Sequence, residues 1–397
     1  MGDKSGFLFI GSIHFVHIEP QQKRSRAPVN LIIEPSGTCI LPSEFVVTAT
    51  VHTKGALYGL ERVIIDGELL LYRTGYSACM NCTLGSQERG HYWLGAVTVR
   101  RSGTLTIYTS GVRDLNSGAT RLVLSETLDV DYGGHVQVND GLVVFARDVK
   151  VEKSGVIDGD GTGYAAGSGL GAGSTCGGGG GGTGAGHGGR GGGAYSTQYS
   201  HISSCSVGGS TYNSQCLPTS VGSGGGNCGH GYRGGRGGGA VQVISSRLLT
   251  MEGDVHLHGL RYEREGGGGG SGGSVWIDGL FMEGWGELFA DGGSATVHSY
   301  RISSHTYYHY GGGGAGGRIR TYSPNMPHAV VIGRRRAAGG PAGSYSGQAG
   351  TLCISGNLCS GHGTWNTSGC DCEDGYVGSN CQVPCDARVT CNAQGMC

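Results

Sequence analysis

The stretch Gly234-Gly-Arg236-Gly-Gly-Gly-Ala240-Val-Gln-Val-Ile244 decides how this chain is read. A glycine block hands over to a short alternating strand with two distinct faces. The unit returns where Gly266 to Gly270 lead into Ser274-Val-Trp-Ile277, and where Gly311 to Gly314 lead into Arg318-Ile-Arg320. Gly188-Gly-Arg190-Gly-Gly-Gly-Ala194 has the same form. Period-two alternation signals strands, and self-similarity of this kind signals a stacked, elongated body.

A second repeat overlaps the first. Leu128-Asp-Val130-Asp131 precedes Val136-Gln-Val138, Val149-Lys-Val151-Glu152 precedes Val156-Ile157, Leu249-Thr-Met251-Glu252 precedes Val255-His-Leu257, and Leu280-Phe-Met282-Glu283 precedes Leu288-Phe-Ala290. Starts at 128 and 149 lie 21 residues apart, the length of one solenoid coil; those at 249 and 280 lie 31 apart, the surplus being glycine. The glycine blocks therefore read as insertions between coils, lying close against the solenoid. A run such as Gly177 to Gly182 is expected to form a left-handed helix of three residues per turn, whose amides need partners in neighbouring segments. A flexible linker is the alternative. The strands resume in register after each block, which favours order.

Upstream, Phe45–Val51, Arg62–Ile65, Ala96–Val99, Thr104–Tyr108 and Gly141–Phe145 are short β-branched runs closed by turn residues. No helix of ordinary length is expected. The predicted fold class is all-β: a parallel β-helix or solenoid body with glycine-rich insertions, plus small disulfide-rich modules. Residues 1–28 stay unassigned, 29–161 form a β-rich solenoid part, and 162–352 a glycine-rich solenoid part. Modules follow at 353–383 and, truncated, at 384–397.

The chain has 397 residues, 84 of them glycine, without a Gly-X-Y period, which excludes collagen. Fifteen cysteines point to an oxidised, extracellular protein, and the sequons at Asn81 and Asn366 agree, implying N-linked glycans. A formal net charge of −1 gives no field to recruit nucleic acid. No run is apolar enough to span a bilayer, so no membrane insertion is expected. The opening residues lack a signal-peptide h-region and the sequence closes on Cys397, so the chain reads as part of a longer polypeptide.

In the tail, Cys359-Ser-Gly-His-Gly-Thr-Trp365 is followed by Cys370-Asp-Cys372, Gly375-Tyr-Val-Gly378 and Cys381. This pattern resembles an epidermal-growth-factor-like module of the tenascin type. The resemblance implies the pairs Cys359–Cys370 and Cys372–Cys381. Trp365 occupies the family's third-cysteine position, so Cys353 loses its usual partner; it ends a strand-like Thr351–Ile354 and is expected to pin the module to the last coil. Cys385, Cys391 and Cys397 look like the start of a second module, with Cys385 and Cys397 expected to pair. Cys39, Cys79, Cys82, Cys176, Cys205, Cys216, Cys228 and Cys353 form an even set whose connectivity sequence leaves open.

Echoes of the polygalacturonase family are present: Asn139-Asp140, Asp158-Gly-Asp160, Gly229-His230-Gly231 and Arg318-Ile-Arg320. Glycosidases need two carboxylates at a set separation, and the adjacent aspartates of that family are missing. Asp158-Gly-Asp160-Gly161 is expected to be a turn with capping aspartates. His298, His305 and His309 are assigned to a surface loop, and Arg334-Arg-Arg336 to an exposed basic loop. No catalytic, cofactor or metal site is expected.

Glycine-rich solenoid and cysteine modules together look similar to algal and protist surface proteins, including flagellar-hair (tubular mastigoneme) proteins. That resemblance implies a non-catalytic filament subunit on the cell or flagellar surface, assembling with copies of itself or related subunits. The alternative is an adhesion or receptor-ectodomain binding module, and a less favoured one a polysaccharide-degrading enzyme. Anaplastic-lymphoma-kinase-type receptors also place a glycine-rich region before a cysteine module.

Overall fold

The ten residues of Thr104–Tyr108 and His135–Asn139 lie side by side, parallel and in register, as Leu105 faces Val136 and Ile107 faces Val138. This pairing is repeated through the molecule. The computed structural model describes most of residues 30–354, apart from 79–88, 177–179, 198–204, 262–265, 325–332, 343–344 and the single positions 37, 42, 110, 112 and 230. Outside that span it describes the backbone at 7–10, 15–17, 25–26, 363–366, 369–372, 376–377 and 383–384.

The described residues are all-β, with no α-helix, and form two large parallel sheets. The first has ten strands. From Thr50–Thr53 it runs through Glu68–Tyr72, Thr104–Tyr108, His135–Asn139, Val156–Asp158, Asp254–His256 and Leu288–Phe289 to Arg335–Arg336. The second has fifteen. Its long strands Thr120–Val130, Gly141–Val151, Ala240–Met251 and Ser274–Glu283 are followed by Arg318–Tyr322 and Thr351–Ile354. Register shifts divide the long strands, at Leu124/Thr127 for example, so that His91–Leu94 pairs with the first half of Thr120–Val130 and Ala96–Val99 with the second.

Inward side chains stack by type along the sheets. Leu105, Val136, Ile157, Val255 and Leu288 make one fully buried column, and Val97, Leu128, Val149, Leu249 and Met282 another. Both belong to one continuous apolar core. Leu128 faces Val149 as the 21-residue spacing predicts. Leu249, however, faces Met282 and not Leu280, so the spacing between those passages is two residues longer than the sequence pattern suggests. A register shift between Gly279 and Phe281 leaves Leu280 exposed while Met282 is buried, a local irregularity that period-two alternation does not reveal. The continuous run Phe45–Val51 is also divided, with Glu44–Val47 in the larger sheet and Thr50–Thr53 in the smaller.

Three of the four glycine units stack, because Ala240, Ser274 and Arg318 are register partners. The fourth departs: Gly188–Ala194 leads to Tyr195–Ser196, which pairs antiparallel with His309 and Tyr310. The glycine segments are held laterally in steps of three. Gly235 and Gly238 donate to Gly268 and Ser271, Gly269 and Gly272 to Gly312 and Ala315, and Gly312 and Ala315 to Gly182 and Ala185. Gly182 and Ala185 in turn donate to Gly266 and Gly269, closing a cycle of three segments. A three-residue period with bonds only to neighbours is that of polyproline II. None of the glycines at 267–273 or 311–317 has a left-handed backbone. Space is what excludes a side chain: a methyl built on Gly269 sits 1.9 Å from the Gly293 carbonyl oxygen.

Two disulfides are present among the described residues, Cys176–Cys205 and Cys216–Cys353. Cys353 therefore pairs with the body, and Thr351–Ile354 is itself the last strand of the larger sheet, crossing the expected boundary at 353. Such bonds fit an oxidising environment. In the tail, Gly363–Asn366 pairs antiparallel with Gly369–Cys372, and Tyr376–Val377 with Val383–Pro384. The side chains of Asn81, Asn366, Cys359, Cys370, Cys372, Cys381, Cys385 and Cys397 lie outside the described residues.

Candidate functional site

A group of ionisable side chains lies on the ten-stranded sheet, where register builds two columns. Asp158, His256, Phe289 and Arg336 are successive partners in one. Asp160, His258 and Asp291, two residues further along each passage, make the other. His256 and His258 ring centroids are 5.6 Å apart, Phe289 packs against both, and the Arg336 guanidinium lies 4.9 Å from the Phe289 ring. His135 faces Asp158 at 3.7 Å.

The carboxylates are used for cross-passage bonding. Asp158 Oδ1 accepts the Asp160 amide at 2.9 Å, closing the capped turn expected from sequence, with Gly161 left-handed behind it. Asp160 Oδ1 accepts the His258 amide at 2.5 Å, and Asp291 Oδ1 accepts the Ala338 amide at 2.8 Å. Asp254 Oδ1 does the same for Glu287 at 2.9 Å. Asp291 also receives Arg336 Nε at 2.7 Å. Asp160, Asp254 and Asp291 thus staple their corners to the next passage, while Asp158 caps its own turn.

The two nearest carboxyls titrate in opposite directions. Burial pushes Asp158 up, but His135 and the Asp160 amide outweigh it, and the group lies below the ordinary carboxylate range. Burial dominates at Asp160 and raises it, despite the pull of His258. Divergent carboxyls can divide acid and base roles in catalysis; here a backbone amide occupies an oxygen of each.

The other echoes are not brought to this place. Asp140, left-handed at φ 75°, accepts the Gly111 amide at 2.8 Å. His230 is outside the described residues, whereas Gly229 donates to Gly180. Arg318 and Arg320 belong to the other sheet and are buried. Arg318 donates to the carbonyls of Tyr212 (2.6 Å) and His187 (3.3 Å) and to Thr351 Oγ1 (2.8 Å), and burial lowers it. Arg320 makes a two-point pair with Asp278 (3.1 and 2.9 Å), donates to the Cys216 carbonyl at 2.8 Å and lies over Trp276. These arginines clamp the 212–216 loop to the sheet beside the Cys216–Cys353 bond. His187 is fully buried, its Nδ1–H donating to the Gly272 carbonyl at 2.7 Å, and desolvation drives it down to about 3.

Two expectations need correction. His298, His305 and His309 lie in a hairpin, Val297–Ile302 with His305–Tyr310, not in an irregular loop. A strand repeats every two residues, so His305, Tyr307 and His309 share a face, with His309 fully buried and His298 opposite it at 6.0 Å between rings. Arg334-Arg-Arg336 is not an exposed loop: Arg335–Arg336 closes the ten-stranded sheet, and Arg335 donates to Thr321 Oγ1.

Sequence reasoning missed His135, His256, His258, Phe289 and Asp291. The signal was available, since aligning Val255-His-Leu257 with Leu288-Phe-Ala290 sets His256 beside Phe289 and His258 beside Asp291. No protein-family model, curated protein or solved structure matches this chain.

Proposed function

We propose that the two sheets are the faces of a three-sided parallel β-helix, sheathed by glycine helices, and that the protein is a non-catalytic extracellular structural subunit. In this reading it assembles with copies of itself or related chains into a cell-surface or flagellar filament of the mastigoneme kind. The tail then forms an epidermal-growth-factor-like module closed by Cys359–Cys370 and Cys372–Cys381, followed by the start of a second one. Asn81 and Asn366 carry N-linked glycans.

One observation carries the proposal: the larger sheet ends on Thr351–Ile354, which has a single strand partner, Arg318–Tyr322, among the described residues. Leu352 on that strand is 45% exposed. A parallel edge strand is a template for another chain. The repeated cross-passage staples and the Cys216–Cys353 bond suit a load-bearing rod. No helix among the described residues is long and apolar enough to cross a membrane.

Electron microscopy and sedimentation of the native protein test this reading. Ten strands at about 4.8 Å spacing predict an axial repeat of roughly 48 Å for the body, plus the tail. Filaments with such a repeat are expected; a monodisperse monomer across the accessible concentration range overturns the assembly. The alternative of an adhesion or receptor ectodomain draws support from the exposed Tyr195 and Tyr308 on the hairpin sheet, since tyrosine is favoured on recognition surfaces.

A further inference from the structure

Three corner turns stack where the chain passes from the larger sheet to the smaller: Arg100-Arg101-Ser102-Gly103, Asp131-Tyr132-Gly133-Gly134 and Glu152-Lys153-Ser154-Gly155. In each, the fourth amide donates to the first carbonyl at 2.8 Å. The third residue of each is left-handed, with φ of 65° at Ser102, 71° at Gly133 and 65° at Ser154. This shared geometry sends the first and second side chains of each turn outward together. Arg100, Arg101, Asp131, Tyr132 and Glu152 line an open groove of about 470 Å³.

Some of these groups are already engaged. Arg100 faces Asp66 at 3.5 Å, and Glu152 pairs with Lys150. Others present unsatisfied chemistry to the groove. Arg101 makes no ion pair among the described residues; its guanidinium lies 5.8 Å from the Tyr132 ring. Asp131 likewise makes no ion pair among them, and Tyr132 is 56% exposed. A flat aromatic face, a guanidinium and a carboxylate therefore stand together and open to solvent.

The mixed lining narrows the ligand. Two guanidiniums and two carboxylates balance, so a densely charged polyphosphate or polysulfate meets more like charge at Asp131 and Glu152 than a ligand with one carboxylate per sugar ring. A wholly neutral ligand leaves Arg101 without an anion. We propose that this groove binds an acidic saccharide, a uronic-acid type of sugar. The apolar face of its ring lies on Tyr132, its carboxylate accepts from Arg101, and its hydroxyls donate to Asp131. Arginine suits two-point recognition of a carboxylate. The inference does not depend on filament assembly.

Calorimetric titration of the intact protein with trigalacturonate tests it, with maltotriose and tripolyphosphate as comparisons. Saturable trigalacturonate binding is expected, weaker by roughly tenfold for Tyr132→Ala and for Arg101→Ala, with thermal unfolding unchanged because both side chains are exposed. Tyr132→Phe, which keeps the ring, should retain binding. Absence of trigalacturonate binding overturns the proposal. So does equal affinity for maltotriose, tighter binding of tripolyphosphate, or affinity unaffected by the two alanine substitutions.

Discussion

Gly314→Ala gives the sharpest test of how the glycine segments are packed. A methyl built on Gly314 lies 2.0 Å from the Gly270 carbonyl oxygen and 2.6 Å from its carbon. The Gly314 amide donates to Gly293 at 2.9 Å, and its carbonyl accepts from Gly340 at 2.7 Å. Relief of the overlap requires the segments to part by more than an atomic radius, at the expense of those bonds. Overpacking costs about 1–3 kcal/mol and each lost hydrogen bond about 0.5–1.5, so the substitution should destabilise by about 3–5 kcal/mol. Gly111→Ala is the control: its backbone is left-handed at φ 82°, but a methyl there meets nothing within 4 Å. That change should cost only about 1 kcal/mol, from the left-handed conformation. Urea unfolding, with hydrogen exchange across 267–273 and 311–317, measures both. In a flexible linker Gly→Ala changes stability little, because the segment is equally free in the folded and the unfolded chain. A stabilised Gly314→Ala, or one no worse than Gly111→Ala, refutes the packed-helix account.

Three further outcomes follow from the buried ties. The Cys216–Cys353 bond spans 137 residues, so Cys216→Ala with Cys353→Ala should lose about 2–5 kcal/mol in guanidinium unfolding; a change under about 1 kcal/mol contradicts its role. Asp278→Asn leaves Arg320 buried without its counter-charge and should cost about 3–5 kcal/mol by thermal unfolding, with partial recovery on adding Arg320→Met. His187 is held neutral, its pKa lowered to about 3, whereas unfolding restores an ordinary imidazole near 6.5. Its contribution is therefore complete above pH about 6.5 and lost as pH falls towards 3, at up to about 1.4 kcal/mol per pH unit. His187→Gln should flatten that part of the stability–pH curve; an unchanged slope refutes the assignment.

Recognition of the body required only local regularity. Thr104–Tyr108 and Arg62–Ile65 are strands as their alternation predicts, and Leu128 faces Val149 because 21 residues complete one passage. The capping role of Asp158 was also legible, since Asp-Gly-Asp-Gly closes a turn whatever lies around it. The offset at Leu280 was not, because it comes from a register shift between Gly279 and Phe281 that alternation does not reveal. The histidine and aspartate columns required cross-passage register, which places His258 beside Asp160 across 98 residues.

By itself, the sequence determined the class of the protein: two-faced strands, glycine blocks between them, and thiols suited to an oxidising environment. Those properties follow from side-chain alternation and backbone chemistry within a few residues. Tertiary structure decided what the glycine blocks touch. Polyproline II helices have no internal hydrogen bonds, so Gly269 or Gly314 acquires partners only when segments distant in sequence come together. The same holds for the pairing of Cys216 with Cys353 and for the grouping of Arg101, Asp131 and Tyr132 in one groove. Stacking distance and register set those neighbours, and neither is encoded in any single stretch of the chain.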